Sequence, residues 1–365
     1  MSRTTLIRLI ALPALVAGAT FLPAAEPPRA APAKADPGTA WRMSGPFTHE
    51  NLTVYLIHGR DQIHAKNVLT LDEALQQKEA VVHETQNVNQ LQVENLSSAH
   101  EVFIQAGDIV KGGQQDRTLA HDMIIPPKSG KVALDCFCVE AGRWTRRGGE
   151  APASFSGSKD QLASNDLKRA VRGSGSGGGM GAGPPAAAGG GYGGQGQVWQ
   201  NVAKDQEKLK RSVKAEVRAA ESQSSLQLTL ENKNVLRAVE GYVKALEPRG
   251  KADDDVIGYA VCINGQVNNA DVYAAHALFA KLWPKLLKAS AVEAVAAVQK
   301  GKKFEPPTAD AVRTFLADAA KGKKADKEVT KRVVETRCEN DKSCLFITRD
   351  AGKGGAALRH SYIKK

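Results

Sequence analysis

Between Asp255 and Tyr273 the chain reads DVIGYAVCINGQVNNADVY, two apolar runs joined by Asn264-Gly265. Asparagine followed by glycine readily takes two consecutive positive φ values. A type I′ turn demands that geometry, and its twist matches a pair of antiparallel strands. A second stretch, GKVALDCFCVEAG, alternates: Val132, Leu134, Cys136 and Cys138 fall on one face, and Ala133, Asp135, Phe137 and Val139 on the other. A period of two is the mark of a strand. Shorter apolar runs bounded by turn residues (NLTVYLI, AVVHE, QLQVEN, EVFIQAG, and near the C-terminus RVVETRC, CLFITRD and ALRHSYI) extend the same pattern.

Helical segments interrupt these strands. Thr70 and Glu73 form a capping box ahead of LDEALQQKE. Val202, Leu209, Val213 and Val217 make a thin apolar stripe on a charged helix. Val235, Val239, Tyr242, Val243 and Leu246 make a fuller one, with Asn234 as its cap and Pro248 and Gly250 as its stop. Residues 274–298 carry Leu278, Phe279, Leu282, Trp283, Leu286 and Leu287, with Pro284 expected to kink the helix or begin a new segment. Another helix is expected near TADAVRTFLADAA. The order is not a regular β-α-β alternation. The expected fold class is therefore α+β, a mainly antiparallel β core with flanking helices.

The 365 residues allow one large domain or two ordinary ones. Residues 1–25 have the layout of a cleavable secretory signal: Arg3 and Arg8, an apolar stretch from Leu9 to Leu22, then Ala24-Ala25. This points to an exported chain, periplasmic or extracellular, with no transmembrane span once the signal is removed. Residues 26–40 read as a Pro/Ala-rich tether, with structure beginning near Trp41 to Phe47. Residues 41–365 read as one α+β domain interrupted by a disordered insert at about 150–197. The centre of that insert, GSGSGGGMGAGPPAAAGGGYGGQGQ, has too little apolar surface to offset the entropy of ordering it.

The net charge of +11 admits an anionic partner, whether a small molecule or a protein. Lysine pairs such as Lys302-Lys303 and Lys323-Lys324 are dispersed, and no aromatic platform accompanies them, which points away from nucleic acid. Cys338 and Cys344 flank ENDKS between two apolar runs, the spacing of a disulfide across a hairpin. Cys136 and Cys138 share one face of a strand and read as core residues. No histidine motif with metal-ligand spacing occurs; His58, Asp61 and His64 lie close in sequence and read as a solvated turn. Which cofactor, if any, the chain uses is left unknown by its sequence.

The segment from Gly107 to Arg117 concentrates polar and glycine residues between apolar runs. Its glycine spacing lacks the Lys-Ser/Thr of a nucleotide P-loop. Two readings stand. In one, Gly112, Gly113, Gln115, Asp116 and Arg117 cradle an anion through backbone N–H groups and a bidentate guanidinium. In the other they form a turn whose charges cap the backbone. Glu140 and Arg143, at the end of the alternating strand, either pair with each other or join that cluster. Brought to one concave pocket, these acids and bases would suit acid–base chemistry. On one exposed patch they would suit binding, and paired off separately they would be structural.

Four blocks in order, LTLDEAL, GGQQDRTLAHDMIIPPKSG, CVEAGRW and LFAKLWPKLL, resemble the ARG and Rhodanese-Phosphatase-superfamily-associated Protein domain. The resemblance covers about Trp41 to Leu287 and leaves the C-terminal strands open. It implies no catalytic residues, since the family is named for the domains it accompanies. The family-like positions are Gly112, Gly113, Gln115, Arg117, Glu140, Gly142, Arg143 and Trp144. Two features depart from the pattern: the secretory leader and the Gly-rich insert.

Overall fold

The computed structural model describes residues 41–85, 87–113, 115–142, 155–173 and 193–365. In chain order the elements are β1 (Arg42–His49), β2 (Leu52–His58), β3 (Val68–Thr70), α1 (Leu71–Gln76), β4 (Ala80–His83), β5 (Gln90–Asn95), β6 (Glu101–Ile104), β7 (Asp108–Gly112), β8 (Arg117–Leu119), β9 (Met123–Ile125), β10 (Lys131–Cys138) and β11 (Phe155–Leu162). There follow α2 (Asn165–Gly173), α3 (Gly193–Val213), α4 (Leu226–Leu230), α5 (Lys233–Leu246), β12 (Val256–Ile263), β13 (Gln266–Tyr273), α6 (His276–Ala296), α7 (Ala309–Ala320), β14 (Lys323–Glu328), β15 (Val333–Glu339), β16 (Ser343–Asp350) and β17 (Ala356–Lys364).

An eight-stranded antiparallel sheet has the order β1-β2-β12-β13-β17-β16-β15-β14. Its central hairpin, β12–β13, turns at Asn264 (φ 52°) and Gly265 (φ 74°), the two positive values a type I′ turn needs. Both faces of the sheet's middle are covered. Leu52, Val54 and Leu56 of β2 pack in the cluster that holds Phe279, Trp283 and Leu287 of α6. Tyr55 and Ile57 pack in the cluster that holds Val312, Leu316 and Ala319 of α7. Two buried faces explain why NLTVYLI is nearly all apolar instead of alternating with polar residues.

A six-stranded sheet, β11-β7-β8-β10-β5-β4, and a three-stranded one, β3-β6-β9, enclose a second core that includes Ala74, Val93, Ile104, Leu119 and Cys136. The β3–β6 pair is parallel and the remaining ladders antiparallel. Helices α2, α3 and α4 cover this part through Leu167, Val171, Val198, Val202 and Leu226. Phe103, Ile124 and Leu162 reach from this part into the α6 core. The fold is α+β, as expected from the sequence, and no helix among the described residues is long and apolar enough to cross a membrane.

Several local expectations shift. The capping box at Thr70 and Glu73 forms, but Asn232, not Asn234, caps α5; its side chain accepts the Asn234 N–H. Helix α6 continues through Pro284 as one element of 21 residues, with Trp283, Leu286 and Leu287 anchored in the core on either side. Within the span assigned to the insert, residues 155–173 form β11 and α2, and α3 begins at Gly193. Strand β11 is polar in sequence but pairs with β7, and α2 buries Leu167 and Val171. Residues 1–40, which hold the expected signal and tether, and residues 174–192 lie outside the described residues.

Candidate functional site

The polar block between β7 and β8 is drawn inward. Gln115, Asp116, Arg117 and Glu140 are each fully buried. Asp116 accepts the Gly112 N–H (3.3 Å) and the hydroxyl of Ser225 (3.5 Å), and its own N–H donates to the Glu140 carboxylate (3.4 Å). Arg117 donates from Nη1 to the Gln115 carbonyl (2.8 Å) and from Nε to the Val88 carbonyl (3.2 Å), with Glu84 at 3.8 Å. Gly113 (φ 55°) admits no side chain: a Cβ there would stand 2.5 Å from the Phe155 ring. Gln114, Arg143 and Trp144 lie outside the described residues, and Gly142 is exposed. The structure thus brings Gln115, Asp116, Arg117 and Glu140 together in the interior, bonded to backbone groups, Ser225 and Glu84, with both Gln115 amide atoms and Arg117 Nη2 making no hydrogen bond among the described residues. The cover comes from distant residues: Ser225 caps α4, and the Gln195 amide makes both hydrogen bonds to the Cys138 backbone, each at 2.8–2.9 Å.

The expected disulfide does not form. The β15–β16 register pairs Cys338 with Leu345 and Cys344 with Glu339. The two cysteines therefore face opposite sides of the sheet, Cys338 in the α7 core and Cys344 beside Phe346 and Ile363. His58, Asp253 and Asp255 place their donor atoms within 4.8 Å of one another. Both nitrogens of the buried His58 ring are already engaged, Nδ1 with Asp255 (2.6 Å) and Nε2 with Ser44 (2.7 Å). Arg42 neutralises Asp255 from outside at 3.0 Å. The arrangement is a salt-bridged strand end.

A cleft of about 530 Å³ lies between α1, β11 and α4. The buried block builds its walls: Asp116 holds the α4 cap, and Gly112 pairs with Phe155 of β11. At one side Asp72 of α1 meets Lys285 of α6 (2.7 Å), which also reaches Asp108 (2.8 Å). Gly157 makes room for this group, because a Cβ there would lie 1.9 Å from an Asp72 oxygen. Burial pushes the Asp72 carboxyl above the usual range and outweighs the lowering by Lys285. Burial acts to lower the Lys285 ammonium, but Asp108 and Asp72 overcome it and hold it above its ordinary value. Around the rim, Lys111 pairs with Glu231 (2.9 Å) and Lys288 with Asp160 (2.8 Å).

Two glutamines line the same cleft and are almost wholly buried, Gln161 at 3 % and Gln227 at 1 % exposure. Their amide nitrogens are assigned by their partners. Gln227 donates to Glu231 (2.8 Å), and Gln161 reaches the Leu230 carbonyl at a long 3.5 Å. Both Oε1 atoms are left without a hydrogen-bond partner among the described residues. Leu75, Phe155 and the half-exposed Leu236 supply apolar surface. Sequence reading missed this site because its walls come from three distant segments, one inside the presumed insert.

A second cleft, of about 480 Å³, lies at the open end of α6 near Asn165, Asp205, Asn268 and Glu293. Its carboxylates are satisfied internally: Asp205 accepts from Ser164 (2.7 Å), and Glu293 from the Asn165 N–H (2.7 Å) and Asn268 (2.6 Å).

Compared with known proteins, the chain matches the family model described as ARG and Rhodanese-Phosphatase-superfamily-associated Protein domain over residues 40–359. No curated protein and no solved structure matches it.

Proposed function

We propose, from the premise that the chain belongs to the ARG and Rhodanese-Phosphatase-superfamily-associated Protein domain family, that it is an exported, non-enzymatic binding domain whose ligand site is the α1–β11–α4 cleft. One observation carries the reading: two buried glutamines line a cleft of ligand size and keep carbonyl oxygens unpaired. Leaving a buried acceptor without a partner costs about 1–3 kcal/mol. Other buried polar atoms among the described residues lack a hydrogen-bond partner too, those of the Gln115 amide and Arg117 Nη2 among them; what singles out Gln161 and Gln227 is that both belong to residues lining one cleft. Export rests on the leader-like residues 1–25 alone.

A second reading, a hydrolase acting on a phosphorylated small molecule, has the raised Asp72 carboxyl in its favour. Against it, the lysines at the cleft are held by carboxylates, and the unspent atoms are acceptors that repel phosphate.

The test needs no ligand. Gln161→Leu keeps the side chain's bulk, removes an unpaired acceptor and gives up only a 3.5 Å bond. The variant is expected to unfold at higher urea than wild type, by about 1 kcal/mol, as when a site is relieved of a functional burden. A variant less stable than wild type by that amount would make Gln161 a support of the fold and remove the basis for a ligand site here.

A further inference from the structure

We infer that the cleft takes a neutral, hydroxyl-bearing ring with one apolar face, the chemistry of a sugar; this rests on the binding-domain reading and narrows it. Charge decides the first point. Each carboxylate lining the cleft already holds a lysine: Asp72 holds Lys285, which it shares with Asp108, Asp160 holds Lys288 and Glu231 holds Lys111. A cationic ligand would have to displace an ammonium already in place. An anionic one would find no unspent cation among the described lining residues, and would meet acceptors instead.

What remains is neutral and one-sided. The oxygens of Gln161 and Gln227 accept but cannot donate, because their amide nitrogens already face Leu230 and Glu231. Both oxygens lie beneath the cleft surface, so a ligand hydroxyl supplies the donor they lack once the side chain turns outward. Gln161 is held only by its long bond to Leu230, so it can turn toward a ligand at little cost. Exposed Ser156 and buried Ser158, on β11 beside Gln161, add groups that both donate and accept, as sugar hydroxyls do. Leu75, Phe155 and Leu236 provide the apolar surface on which the C–H face of a ring can rest. Leu236 is 41 % exposed, a large apolar side chain left open at the cleft mouth.

The experiment is saturation-transfer NMR of the full chain with three probes: neutral disaccharides (maltose and cellobiose), spermidine and glucose 6-phosphate. Transfer to a neutral disaccharide is expected, with affinity falling about tenfold in Gln161→Leu or Gln227→Leu, the equivalent of one lost hydrogen bond. Leu236→Ala, a surface change that leaves the fold intact, is expected to weaken the same signal. Three results would overturn the inference. Sugar binding unchanged in all three variants would place it elsewhere. Binding of spermidine or glucose 6-phosphate, but of no neutral sugar, with loss in Gln161→Leu, would sink the sugar class and leave the binding-domain reading standing. No transfer to any probe would also sink the sugar class; the ligand-free stability of Gln161→Leu then judges the binding-domain reading separately.

Discussion

Asp205 shows how one side chain can set a local pH dependence. It lies on α3 at the second cleft, and burial pushes its carboxyl up to about 6. The Ser164 hydroxyl works against that rise, and the neighbouring Glu293 carboxylate adds to it. Glu293 is itself raised by burial, against its bonds to Asn165 and Asn268. An aspartate in the unfolded chain titrates near 3.9, so the folded protein binds the proton more tightly. The stability this provides is fully present below about pH 4 and is lost as pH rises through about 6. Asp205→Asn keeps an oxygen for Ser164 and removes the buried charge. The variant should match wild type at pH 4 and melt about 2–4 °C higher at pH 7.5. Melting curves across that range test this; a difference that stays constant with pH would exclude Asp205 as its source.

At the scale of elements, Lys285 ties α6 to α1 and β7. Its ammonium sits between Asp72 and Asp108, at 5 % side-chain exposure against 16 % and 6 % for the two acids. Removing the cation alone leaves two carboxylates facing each other in a site with little water. Lys285→Ala is expected to cost about 3–5 kcal/mol in urea unfolding, whereas Lys285→Met with Asp72→Asn and Asp108→Asn should recover most of that loss. A loss below about 1 kcal/mol in the single variant would mean the tie is not made.

Legibility followed the same elements. Strands β2, β10, β12, β13 and β16 were readable because burial wrote itself into their apolar patterns. Strand β14, KKADKE, was not: it is an exposed edge, and it is a strand only because β15 pairs with it. A charged edge also discourages further strand addition. The polar, glycine-containing β11 read as insert for a similar reason, since its ladder to β7 and not its composition makes it a strand. The block around Asp116 was legible as a cluster. Its inward direction was not, because the covering residues, Gln195 and Ser225, lie about 80–110 residues further on in sequence and reach it only through tertiary packing. The cleft was illegible for the same reason.

At the scale of the whole molecule, Asp122 joins the two β regions. It lies between β8 and β9, fully buried, and accepts Arg359 of β17 (2.7 Å), Arg172 of α2 (2.8 Å), Thr348 of β16 (2.8 Å) and the Ala106 N–H (2.7 Å). Arg359 also binds Asp271 of β13, which accepts the Tyr259 hydroxyl at 2.9 Å. Arg172 lies 4.5 Å over the Phe346 ring and 3.5 Å from Glu335. One carboxylate thus takes bonds from both β regions and from a helix that packs between them. Burial alone would raise its pKa, but the two guanidiniums, the Ala106 N–H and Thr348 carry it well below the usual carboxylate range. The sign is therefore opposite to that of Asp205. The contribution is present above the unfolded value near 3.9 and is lost only as pH falls below it toward the depressed folded value. Asp122→Asn leaves two buried guanidiniums facing a neutral amide and is expected to cost about 3–5 kcal/mol at pH 7. Because wild type alone carries the titrating group, the gap between wild type and variant should hold from pH 7 to about 4 and narrow from about 4 to 2.5. Urea unfolding of both proteins at a series of pH values measures that gap. A gap unchanged down to pH 2.5 would show that the joint depends on the shape of Asp122 and not on its charge.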